Sequence, residues 1–273
     1  MMDTRTGIST RQKGRAHLHA FRSKGKSSDN SARIADASGG HYRCRNCGAG
    51  RPEPDIVATK VALEGMRGSR VEVRTPEGDV ELDLPLPGLY NVYNALAALA
   101  AARELGLGVG EAARGIATAE AAFGRVETIA VGEVAVSILL IKNPAGANEV
   151  IRTLRLEAAE GDEGDELDLW IALNDRIADG RDISWVWDAD FELLAGAARR
   201  VACAGTRAAE MAVRLKYAGI DPERIEVREP IAASLDSAVA ASDGRLVALP
   251  TYTALIELRR LLSARGLARE YWR

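Results

Sequence analysis

Histidine is almost missing from this sequence: 273 residues contain only His17, His19 and His41. None follows residue 41, which excludes a Ser–His or Cys–His catalytic pair within the rest of the chain. Cysteine is equally scarce. Cys44, Cys47 and Cys203 cannot build a disulfide framework, and reduced thiols in the cytoplasm are the natural reading. No apolar run reaches the roughly 18 residues of a membrane span, and the start lacks the apolar stretch of a secretory signal. The phosphate loop G-x4-G-K-[ST], the dinucleotide fingerprint G-x-G-x-x-G and a nucleophile elbow are all absent. The net charge of −3 offers no general attraction to nucleic acid.

The 47% of apolar residues is enough for a real core. The charge is uneven. Residues 1–40 hold eight lysines and arginines against three aspartates, an excess of five, so the remainder carries −8. That segment is polar, Ser- and Gly-rich and without period, and reads as a disordered leader. It is followed by HYRCRNCGAGRP at 41–52, where Cys44 and Cys47 form a C-x2-C with Gly48 behind it. The spacing lets two thiolates reach one Zn2+, and the glycine permits the turn. Four ligands are normally needed, and Cys203 sits in the apolar run RRVACAG, which reads as core. The zinc site is therefore incomplete as read.

Residues 54–84 alternate apolar and polar, with Val71, Val73, Val80 and Leu82 at period two around Pro76-Glu77-Gly78, the pattern of a β-hairpin. An Ala/Leu helix over 86–107 follows, with Asn91 and Asn94 near its start, and a second helix over 110–121. From Phe123 strands and helices alternate, with Pro144 opening one helix, Thr206 as the cap of another and Gly219 as its stop. This alternation predicts a Rossmann-like, mostly parallel, doubly wound α/β sheet.

The chain is organised around 173–192, LNDRIADGRDISWVWDADFE. It follows the apolar run 167–173, a buried strand, and so lies at the carboxyl edge of a sheet, where open α/β folds hold ligands. Asp175, Asp179, Asp182, Asp188 and Asp190 crowd it. Aromatics are only 5% of the chain, yet Trp185 and Trp187 stand among these acids, as in a loop that is pinned or covered by a partner. A merely solvated acidic loop is the plain alternative.

Seven collinear stretches resemble the Mur ligase family, and within it the Mur-type subunits of lipid II isoglutaminyl synthases: GHYRCRNCG, LPGLYNVYNALAAL, FGRVE, LLIKNPAGANEVIR, LNDRIADGRDISWVWDADFE, ACAGTRAAEMAVRLK and LPTYTAL. The resemblance implies a partial central α/β domain with half a zinc ribbon over 41–121 and a C-terminal domain over 122–273. It implies a ligase that activates a carboxylate with ATP and Mg2+ and amidates the D-glutamate α-carboxyl of lipid II in the cytoplasm, at the inner membrane face. The nitrogen comes from glutamine through a glutaminase subunit, whose Cys–His pair receives its third member, an aspartate, from the Mur-type subunit. By motif position that residue is Asp182. Asn91, Asn94, Arg125, Lys142 and Asn143 match family stretches near the nucleotide. Relative to the family pattern, the phosphate-loop region and the first cysteine pair are missing, so the chain reads as a C-terminal portion that cannot form the acyl phosphate alone. The competing readings are a non-catalytic partner- or nucleotide-binding module and, resting only on Cys44, Cys47 and the basic leader, a zinc-ribbon nucleic-acid binder.

Overall fold

The computed structural model describes residues 18–20, 46–47, 54–119, 125–160 and 166–268. The chain divides into two compact units, Met1–Ala62 with Arg70–Asp83 and Val92–Ala117, and Leu63–Ser69 with Leu84–Asn91 and Thr118–Arg273.

The first unit is built on a four-stranded sheet of β1 (Leu18–Ala20), β2 (Ile56–Leu63), β3 (Ser69–Thr75) and β4 (Gly78–Leu84), in that spatial order. β3 alternates strictly, with Val71 and Val73 buried and Arg70, Glu72 and Arg74 exposed, the period-two signature of a half-buried strand. The β3–β4 turn is closed by Thr75, whose hydroxyl donates to the Gly78 carbonyl at 2.7 Å. β1 falls inside the expected leader and pairs antiparallel with β2, Leu18 opposite Ala58. The rest of residues 1–40 lies outside the described residues. Two helices follow, α1 (Leu89–Glu104) and α2 (Val109–Ala117). Alanine and leucine, the strongest helix formers, fill α1.

The second unit carries a six-stranded sheet of β5 (Arg125–Val131), β6 (Val134–Leu139), β7 (Leu167–Ala172), β8 (Ala198–Ala204), β9 (Ile225–Val227) and β10 (Arg245–Pro250), ordered β5-β6-β10-β7-β8-β9. Every neighbouring pair is parallel except β5–β6 at the edge. Every residue of β7 is buried, which is why 167–173 reads as a continuous apolar run rather than an alternating one. Its side chains supply two cores. Leu169 and Ile171 face α3 (Pro144–Glu160) and α4 (Ala208–Tyr217), packing with Ile151, Leu154, Met211 and Leu215. Trp170 and Ala172 face α5 (Ile231–Ala241) and α6 (Tyr252–Ala264), packing with Leu235, Leu255 and Leu258. The Trp170 indole N–H donates to Ser234 at 3.0 Å, so this buried ring leaves no polar atom unmet. The sheet is thus doubly wound, with an antiparallel hairpin at one edge.

One departure from simple strand–helix alternation shapes the site. The β7–β8 connection contains no α-helix, only single 3-10 turns at Ser184–Trp187 and Phe191–Leu194. Val186, Ala189, Phe191 and Leu194 of this connection pack into the α3/α4 core, whereas α6, which follows β10, packs into the other. β10 lies beside β7, so the chain leaves these neighbouring strands toward opposite faces. That divergence opens the crevice at the carboxyl ends where doubly wound folds bind.

Candidate functional site

The crevice begins with Asn174, 2% exposed. Its backbone N–H donates to the Thr251 hydroxyl at 3.0 Å and its side-chain amide to the Thr253 hydroxyl at 3.0 Å. Its side-chain oxygen accepts the Thr206 N–H at 3.0 Å. One buried amide therefore ties together the segments that follow β7, β8 and β10, with each polar group satisfied as burial demands.

Gly205 makes this closeness possible. It adopts φ +88°, and a Cβ there would lie 2.6 Å from both the Asn174 side-chain oxygen and the Leu173 carbonyl oxygen. Gly205→Ala would combine left-handed strain of about 1–2 kcal/mol with disruption of hydrogen bonds worth about 0.5–1.5 kcal/mol each. We expect a loss of about 2–4 kcal/mol, read from denaturant unfolding followed through the second unit.

Thr206, expected as the α4 cap, is not one. Arg207 occupies that position without a side-chain cap bond. The Thr206 hydroxyl instead donates to Asp175 at 2.8 Å, and the Arg207 guanidinium donates to the same carboxylate at 2.8 Å. These contacts, Thr206 first, hold the Asp175 carboxyl below its ordinary range. Gly219, expected as the stop, sits just past the end of α4 at φ +94°.

Beyond Asp175 the loop rises into solvent, and its acids separate by partner. Asp179 accepts from Thr253, and Asp190 pairs with Arg152 at 3.1 Å. Asp182 is exposed, and among the described residues its carboxylate is held by Ser184, whose backbone N–H donates to it at 2.8 Å and whose hydroxyl also contributes. This is an Asx turn, local and uncharged. Ser184 holds the Asp182 carboxyl below its usual range, and no cation takes part. Asp182 is thus an ionised carboxylate turned outward, with acceptor capacity left for a donor arriving from outside.

The far side of the loop is pinned by a residue that the sequence reading passed over. Arg214 of α4 has a side chain only 3% exposed. It donates to the Val186 carbonyl at 2.9 Å and the Ala189 carbonyl at 2.7 Å. Its guanidinium lies 5.3 Å from the Trp187 ring centroid and 5.5 Å from that of Phe191. A sequence signal existed: Arg214 interrupts the apolar stripe of Ala208, Met211, Leu215 and Ala218. Trp185 is half-buried against the core, while Trp187 is exposed beside Tyr217, ring centroids 6.0 Å apart.

The residues matched to a nucleotide site have individual local settings. Lys142 and Asn143 are exposed just after β6, and the Asn143 side-chain oxygen accepts the Gly146 N–H at 2.8 Å, a helix-start contact for α3. Asn91 is buried and its amide donates to the Pro87 carbonyl at 2.8 Å, whereas Asn94, one turn on, is exposed. Arg125 begins β5, and its side chain lies outside the described residues. Cys44 also lies outside them; Cys47 is exposed. Burial pushes the Cys203 thiol up to about 12, which keeps it protonated in the core and unfit as a zinc ligand. Among the described residues no group of three or more His, Cys, Asp or Glu is placed to hold a metal. The expected half zinc ribbon therefore finds no completing ligands there. Within the loop Asp175, Asp179 and Asp190 are tied to separate partners, and the sequence holds no phosphate loop. No described helix is long and apolar enough to cross a membrane.

Residues 140–255 match the family described as MurT ligase C-terminal. The chain is 35% identical over 232 residues to the lipid II isoglutaminyl synthase (glutamine-hydrolyzing) subunit MurT of Streptococcus pneumoniae, covering 85% of this chain and 50% of that protein. It is 34% identical over 230 residues to the Staphylococcus aureus subunit of the same name, covering 82% and 48%. The chain thus spans about half the length of the curated relatives it matches. Among solved structures, the UDP-N-acetylmuramate-alanine ligase MurC of Thermotoga maritima superposes with a TM-score of 0.58 at 15% identity, over 79% of this chain and 46% of that one, a likeness of fold.

Proposed function

Because this chain belongs to the Mur ligase family and carries its MurT-type C-terminal domain over residues 140–255, we propose that it is the part of a lipid II-amidating ligase subunit that completes a glutaminase. The chemistry is glutamine-dependent formation of a carbon–nitrogen bond, converting the D-glutamate α-carboxyl of the lipid II stem peptide to D-isoglutamine at the cytoplasmic face of the membrane. The observation that carries the reading is Asp182, an exposed carboxylate held below its ordinary range, with no cation against it, on a loop tied down at both ends.

The role follows from the side chain. A Cys–His pair works when the imidazole presents the right tautomer and its cation is stabilised. A carboxylate accepting the other ring N–H does both. No histidine follows residue 41 in this chain, so the imidazole that Asp182 serves is another subunit's. Asp182 accepts from it and stays ionised; the cysteine of that subunit attacks the glutamine amide, and ammonia leaves. ATP with Mg2+ would supply the activated acyl phosphate that ammonia attacks. Lys142, Asn143, Asn91, Asn94 and Arg125 are the proposed nucleotide-side residues by family position.

The proposal predicts a one-to-one complex with a glutaminase that carries a Cys–His pair. Size-exclusion chromatography with light scattering should show the heterodimer, and glutamine hydrolysis by the complex should exceed that of the glutaminase alone. Two separate peaks with unchanged hydrolysis on mixing would remove the reading.

A further inference from the structure

The carboxylate three residues before Asp182 has no assigned role, and its contacts are of a different kind. Between residues 176 and 182 every residue is exposed except Asp179. Both of its oxygens are engaged by one residue across the crevice: Oδ1 accepts the Thr253 backbone N–H at 2.8 Å, and Oδ2 accepts the Thr253 hydroxyl. Thr253 lies in the first turn of α6, where backbone N–H groups lack helical partners. The helix's own cap position, Thr251, makes no side-chain cap bond because its hydroxyl is spent accepting the Asn174 N–H. Asp179 takes over that function from a distant loop, with its negative charge at the favourable end of the helix.

The hydroxyl of Thr253 is also oriented. It accepts from the Asn174 amide at 3.0 Å and donates to Asp179. A continuous path of hydrogen bonds therefore runs from the buried amide at the end of β7, through Thr253, to the loop. The other anchor of 176–182 described here is the Arg176–Glu257 pair at 3.1 Å, with both side chains about half exposed, and such surface pairs hold little. After Asp179 the chain turns at Gly180, φ +87°, and reaches Asp182.

Resting on the proposed function of Asp182, we propose that Asp179 and Thr253 are positioning residues that fix the Asp182 carboxylate in the geometry needed by the glutaminase imidazole. Misplacement of a catalytic group by about 1 Å can cost on the order of 100-fold. Cutting the clamp leaves a solvent-exposed loop free to wander while the imidazole and the glutamine pocket of the other subunit remain intact.

The test is glutamine hydrolysis by the complex of the full chain with its glutaminase. Asp179→Ala should lower kcat by about 10- to 100-fold with KM for glutamine unchanged. Thr253→Val, which keeps the backbone N–H and loses the hydroxyl, should lower it in the same direction, and Thr253→Ser should restore it. The deciding measurement is the double variant with Asp182→Asn. If Asp179 acts through Asp182, removing Asp179 in the Asp182→Asn background costs nothing further. A full, additive loss in that background, or wild-type kcat for Asp179→Ala and Thr253→Val, overturns the proposal while Asp182 keeps its role. No effect of Asp182→Asn itself removes both. Should Asp179→Ala fail to fold by its melting curve, the contrast of Thr253→Val with Thr253→Ser decides.

Discussion

Asp182→Asn is expected to lower glutamine hydrolysis by the assembled complex about 10^4-fold, the size of effect seen when the orienting acid of a catalytic triad is lost. The substitution is clean. Asparagine keeps a side-chain oxygen able to accept the Ser184 N–H, so the Asx turn survives. What disappears is the charge and one oxygen's acceptor capacity, because the amide nitrogen can only donate. A donor facing the imidazole N–H favours the wrong tautomer and offers nothing to the imidazolium. Complex formation should be unchanged, since an exposed side chain bonded only to neighbouring Ser184 contributes little to the fold. The acid limb of the pH profile gives a second check. The Asp182 carboxyl titrates below its ordinary range because Ser184 stabilises the charged form. It therefore stays ionised as pH falls until that lowered value is passed. Loss of activity between about pH 7 and pH 5 should track the glutaminase histidine and not Asp182. Unchanged hydrolysis in Asp182→Asn would leave the chain as a docking module without a catalytic group.

Much of this site was legible before any coordinates, but unevenly. Local chemistry could be read. The unbroken apolar run at 167–173 marked a strand buried on both faces, Pro144 opened a helix, and Gly219 stopped one. Sequence separation set the limit elsewhere. Asn174 meets Thr251 and Thr253 across 77 and 79 residues, and nothing local to LND announces this. The placement of β10 between β6 and β7 creates the crevice, yet strand order leaves no mark on periodicity. Thr206 shows how a local rule can be overridden. A threonine two residues before a helix looks like a cap, but Asp175, brought beside it by the parallel pairing of β7 and β8, captures its hydroxyl. Asn91 makes a contact of the readable, local kind: its amide donates to the carbonyl four residues back.

Arg214→Ala is expected to destabilise the second unit by about 3–4 kcal/mol, the largest stability effect of a single truncation near the site. The ion pair is not the main reason. The Glu192 carboxyl is held below its ordinary range by the Arg214 hydrogen bond, with some opposition from desolvation, but its side chain is 58% exposed, so solvent screens the attraction. That contribution is present above the ordinary carboxylate range and is lost as pH falls through the lowered value. Glu192→Gln should therefore cost well under about 1 kcal/mol. The larger loss comes from the two carbonyls. Val186 and Ala189 are buried; truncating Arg214 leaves the Val186 oxygen without a donor, at about 1–3 kcal/mol before water enters, and leaves the Ala189 oxygen with only the Phe191 N–H at 2.9 Å. The stacking of the guanidinium on Trp187 and Phe191 goes with them. Lysine recovers the charge but not the planar fork, so Arg214→Lys should regain less than half of the loss. Because the chain has two units, one melting temperature is a poor measure. Amide exchange over 183–194 isolates the effect. Fast exchange there in Arg214→Ala, with exchange in β2–β4 unchanged, is the expected result; native protection over 183–194 would show that the 3-10 turns are held by apolar burial alone. If the loop is pinned as described, the same variant loosens Asp182 from its far side. Hydrolysis should then fall even where the complex still forms, as it would on releasing Asp179 from Thr253.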